Sequence, residues 1–89
     1  MSAYKRKRIN WIIKNFDKEV TRLAELATIM TQKYQGENEE KVRQSKEVNE
    51  GYDIFDPIVE EIRDKYLVSE PIARKMLVDC IRLRRRNKI

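Results

Sequence analysis

Residues 69–75, Ser-Glu-Pro-Ile-Ala-Arg-Lys, place a hydroxyl, a carboxylate and two cations within one short segment. Arg74 and Lys75 are of the type that donates to guanine O6 and N7 in the major groove, and Glu70 of the type that accepts from cytosine N4. The Ser69 hydroxyl, with the free N–H groups of a helix start, suits a phosphate oxygen. A second group, Arg82, Arg84, Arg85, Arg86 and Lys88, can neutralise phosphates. A third, Lys5, Arg6, Lys7 and Arg8, can lie as an arm along a nucleic-acid backbone or in a minor groove. This is binding chemistry, not bond-making chemistry. The chain has no histidine and one cysteine, which removes ordinary zinc ligand sets, Cys-His nucleophiles and serine triads. Its two glycines, Gly36 and Gly51, stand alone, so there is no glycine-rich phosphate loop. The expectation is a protein that is not an enzyme and uses no cofactor or metal.

The charge distribution points the same way. Residues 1–16 carry +5, residues 17–66 carry −5 and residues 67–89 carry +5, for a net +5 over 89 residues. Two basic ends flank an acidic middle, the pattern of a chain drawn to a polyanion. Cations in the last turn of a helix also favour the negative end of its dipole. No apolar run approaches the roughly 18 residues of a membrane span, and no secretory leader is evident, so a cytoplasmic protein without a membrane partner is expected. Cys80 falls on an apolar stripe, where a buried inert thiol is expected.

Apolar periodicity predicts the elements that position these groups. The fold class is all-α: a compact bundle of four to five helices in a single domain over residues 1–89, with a C-terminal helix-turn-helix. A basic helix over 1–16 shows Ile9, Ile12, Ile13 and Phe16 on one face. A second, capped by Asp17, carries Val20, Leu23, Ala27, Met30 and Tyr34 and stops at Gly36. Residues 37–55 are polar, a weak helix or a mobile connection, with Glu39–Arg43 as a supporting i,i+4 pair. Tyr52, Ile54 and Phe55 are expected to pin the following turn to the core. Asp56-Pro57 reads as the start of the third confident helix, with Ile58, Val59, Ile62 and Tyr66 inward. The last helix starts after Ser69 and buries Ala73, Met76, Leu77, Cys80, Ile81 and Leu83.

Only Leu67-Val68-Ser69 separates the last two helices, so they must meet at a sharp angle, with Val68 filling it. Residues 57–86 resemble the helix-turn-helix of GntR-type regulators. The shared form is Y-x-V-S-x-x-x-x-R-x-x-L, matched here by Tyr66, Val68, Ser69, Arg74 and Leu77. Leu67 stands where that pattern often has glycine, and such segments continue into a β-hairpin wing whereas this sequence ends at Ile89, so DNA binding without that wing is expected. The resemblance implies a small DNA-binding protein: a transcriptional regulator or a replication or recombination accessory factor. Its size and style alone point to the kind that phages and plasmids encode. Its partner would be duplex DNA, bound as a homodimer on two half-sites. The alternative is a helical adaptor or inhibitor that binds replication or transcription machinery through residues 37–55.

Overall fold

The computed structural model describes residues 3–87, so Lys88 lies outside the described residues. These residues form five helices and no strand: α1 (Ala3–Asn15), α2 (Asp17–Lys33), α3 (Glu39–Arg43), α4 (Lys46–Tyr66) and α5 (Glu70–Arg86). Phe16 alone separates α1 from α2. Its N–H donates to the Ile12 carbonyl and its own carbonyl accepts from Val20 N, both at 2.8 Å. The backbone therefore turns with almost no loss of hydrogen bonding. Phe16 is the N-cap residue, not Asp17, which sits one place inside and bonds elsewhere.

The core lies largely on the expected stripes, except that on α2 Ala24 and Leu26 are buried while Ala27, Met30 and Tyr34 are half-buried, and on α5 Met76, Ile81 and Leu83 are half-buried. Ile9 and Ile12 of α1, Val20 and Leu23 of α2, Ile58, Val59 and Ile62 of α4, and Ala73, Leu77 and Cys80 of α5 form one buried cluster. Trp11 widens it. Its indole meets Phe16 and Tyr66 edge-on, with ring centroids 5.9 and 5.7 Å apart, and so seats α1 against the end of α4. Burial in this core pushes the Cys80 thiol up to about 12, which leaves it protonated and unreactive.

The middle of the chain differs from its reading. The helix expected to start at Asp56 starts ten residues earlier, after Ser45, and runs unbroken to Tyr66 through Gly51 and Pro57. The polar connection 37–55 is thus α3 and the first half of α4. Ser45 caps α4, its Oγ accepting from Val48 N at 3.2 Å. Glu47, only 7% exposed, accepts from Lys33 Nζ at 3.0 Å and from Tyr34 OH at 2.8 Å. Arg22 grips Glu50 through two bonds of 2.6 and 3.0 Å. These contacts fasten α4 to α2. Pro57 costs the helix a donor and crowds its preceding turn, a penalty of about 3 kcal/mol in isolation. Here it faces solvent, while Ile54, Phe55, Ile58 and Val59 continue the apolar face on either side of it. Tertiary packing of that face overrides the local breaker. Tyr52, expected to pin the segment, points outward and is 54% exposed.

Among the described residues, two positions take the left-handed backbone conformation. Gly36 (φ 82°) follows α2, and Leu67 (φ 54°) ends α4, donating its N–H to the Arg63 carbonyl at 2.8 Å. Val68 is half-buried against the core.

Candidate nucleic-acid interface

The basic groups divide into those the fold has already used and those it leaves in water. Arg84 belongs to the first set. It donates to Asp17 Oδ1 and to Thr21 Oγ1, each at 2.8 Å, and ties the end of α5 to the start of α2. It was expected among the phosphate contacts; it is a structural cross-link instead. Arg8 is likewise engaged. Its guanidinium lies 3.9 Å from the Tyr4 ring centroid and 5.1 Å from that of Tyr66, and donates to the Tyr4 hydroxyl. Lys5 pairs with Asp79 of α5 at 3.5 Å. That contact brings the N-terminal basic helix beside the middle of α5.

Arg74 is also held. Its Nε donates to Glu70 Oε1 at 3.1 Å, its Nη2 lies 3.0 Å from the same oxygen, Asp56 of α4 lies 3.7 Å away, and Phe55 faces the guanidinium at 5.7 Å. Two of the three side chains expected to read bases, Glu70 and Arg74, therefore satisfy each other on the flank of α5 that faces α4, and Lys75 is left. Ser69 stands at the N-cap of α5 with extended backbone, but its hydroxyl accepts no bond from the helix. Pro71 explains part of this: an N-cap oxygen takes its bond from the second or third N–H, and Pro71 occupies the second position without one.

Lys75, Arg82 and Arg86 are different. Spaced by seven and four residues, they form a single stripe along the solvent side of α5, all exposed and without an ion pair among the described residues. Arg85 flanks the stripe, and Arg6 and Lys7 of α1 are exposed as well. Asp79, the acid that falls on this side of α5, is tied to Lys5. The arrangement is an uncompensated band of cations on one helix, with more on its neighbour. Arg74 does not belong to it.

Sequence reasoning missed an apolar groove on another side of the molecule. Leu26 and Met30 of α2, Val48, Tyr52 and Phe55 of α4, and Ile81 of α5 line a recess of about 330 Å³. The signal was present in the sequence, because Val48, Tyr52 and Phe55 keep helical spacing through 46–66. It was masked by the glycine and proline that suggest a break. Among the described residues no helix is long and apolar enough to cross a membrane. Compared with known proteins, the chain matches no protein-family model, no curated protein and no solved structure.

Proposed function

We propose that the protein binds duplex DNA through the solvent face of α5, with α1 alongside. The observation that carries this reading is the stripe Lys75–Arg82–Arg86, exposed and unneutralised on one helix face. Holding like charges together in water is unfavourable unless a polyanion neutralises them, and DNA binding gains from each counterion released. The three-residue link between α4 and α5 leaves the start of α5 accessible, as a recognition helix requires. Because Arg74 is occupied by Glu70 and Asp56, affinity rests mainly on phosphate contacts, with Lys75 as the cation nearest the base edges. Such a protein serves as a small regulator or as an accessory factor of replication or recombination.

The apolar groove beside Tyr52 supports a second reading, an adaptor that docks on another protein. A gel shift with random-sequence duplex at low and moderate salt separates the two. The DNA reading expects a shifted band that fades steeply as salt rises. No shift at low salt would leave the adaptor reading in its place.

A further inference from the structure

Leu67 is the least economical residue in the chain. It is 89% exposed and it adopts a left-handed backbone, a combination that gains no burial and pays for strain. Glycine would serve the turn better in both respects. Five residues on, Ile72 in the first turn of α5 is 49% exposed, and Pro71 beside it is exposed too. The turn and the start of α5 thus form an apolar tip. Ile72 also begins the cationic stripe, three residues before Lys75 and on the same side of the helix. An uncharged apolar partner would account for the leucine alone; the cations that continue from it in a line along one helix favour a partner that is anionic along its length and apolar within.

We infer that Leu67 and Ile72 are an apolar wedge that contacts stacked bases when α5 lies on duplex DNA, unstacking a base step and bending the duplex. The inference rests on the DNA reading above and deepens it. DNA offers both features: phosphates outside, for Lys75, Arg82 and Arg86, and base faces and thymine methyl groups within the grooves. Leucine, isoleucine and proline side chains are of the type that enters between base steps. The left-handed conformation at Leu67 directs an apolar side chain away from the protein, which a wedge needs and a stable turn does not.

The test uses a duplex of about 30 base pairs carrying a dye at each end, so that energy transfer reports bending while anisotropy reports affinity. Wild type is compared with Leu67→Gly, Leu67→Asn and Ile72→Ala. Glycine and asparagine both tolerate the left-handed backbone, so the fold persists, as circular dichroism will check. Wild type is expected to raise energy transfer on binding. The Leu67 variants are expected to bind about tenfold more weakly and to lose the bend, with an unchanged salt dependence because no cation has been removed. Salt-dependent binding by wild type without any bend, or Leu67 variants that bend DNA as wild type does, would overturn the wedge and leave the DNA reading standing. Absence of any binding by wild type would overturn both. Sedimentation of the same proteins provides a further check: a wild-type dimer that Leu67→Gly converts to a monomer would assign the tip to self-association and overturn the wedge.

Discussion

Leu67, the C-cap of α4, and Gly36, two residues past the C-cap of α2, share the left-handed region, yet one carries a full side chain and the other none. A non-glycine residue there costs about 1–2 kcal/mol. Leu67→Gly is expected to recover part of this, about 0.5–1 kcal/mol, even after the greater entropy of the unfolded glycine is subtracted. Chemical denaturation at constant slope is the measurement; a lower midpoint would mean that Leu67 stabilises the turn through a contact it does not show. The two N-cap serines make a matched comparison. Ser45 is buried and accepts from Val48 N, so Ser45→Ala is expected to cost about 1 kcal/mol. Ser69 occupies the same kind of position without a side-chain bond, so Ser69→Ala is expected to be close to neutral. Thermal unfolding of both variants would decide it, and equal losses would show that the two serines cap alike. Ser69 was visible as a serine before a helix; Ser45 was not, because it lay inside the stretch expected to be a polar connection, and only the structure shows that Pro71 removes one of the donors Ser69 would use.

At the scale of the elements, α2 and α4 are joined by groups a hydropathy pattern cannot register. Glu47 takes bonds from Lys33 and Tyr34, and these bonds, Lys33 first, hold its carboxyl at about 2 against an ordinary 4.5. Arg22 lowers Glu50 in the same direction, chiefly by their hydrogen bond. A carboxylate whose folded pKa is depressed stabilises the fold above its unfolded pKa and loses that contribution as pH falls toward the folded value. Stability is therefore expected to decline from about pH 4.5 toward pH 2, and Glu47→Gln to flatten that decline. Denaturation midpoints along a pH series would show it. A variant as acid-sensitive as wild type would mean that the Lys33–Glu47–Tyr34 cluster does not hold the helices together. The centres of the α1 and α5 stripes were legible because their period is regular, whereas on α2 the heptad spacing caught Val20 and Leu23 but missed the buried Ala24 and Leu26. The start of α4 was not, because its anchors are Ser45, Glu47 and Glu50, which read as solvent-facing, and because Gly51 and Pro57 speak locally for a break. The Glu39–Arg43 pair was legible from its spacing and stands at 2.8 Å in α3.

For the molecule as a whole, the question is which cations the fold consumes. Arg84, Arg74, Arg8 and Lys5 are engaged with Asp17, Glu70, Tyr4 and Asp79 respectively. Sequence alone could not separate Arg84 from Arg82, Arg85 and Arg86, since the difference is the direction in which each leaves the helix and whether an acid stands opposite. Of the cations expected to meet DNA, what remains among the described residues is the stripe on α5 with Arg85 beside it and the exposed Arg6 and Lys7 on α1. The central claim is that this stripe meets DNA phosphates. The most direct measurement is a salt titration of DNA affinity for wild type and for the triple variant Lys75→Gln, Arg82→Gln, Arg86→Gln, with circular dichroism confirming the fold. Each phosphate neutralised contributes about 0.9 to the slope of log affinity against log salt, so the variant is expected to be shallower by roughly 2–3 units. A folded variant with the wild-type slope would contradict the claim and remove α5's outer face from any DNA interface.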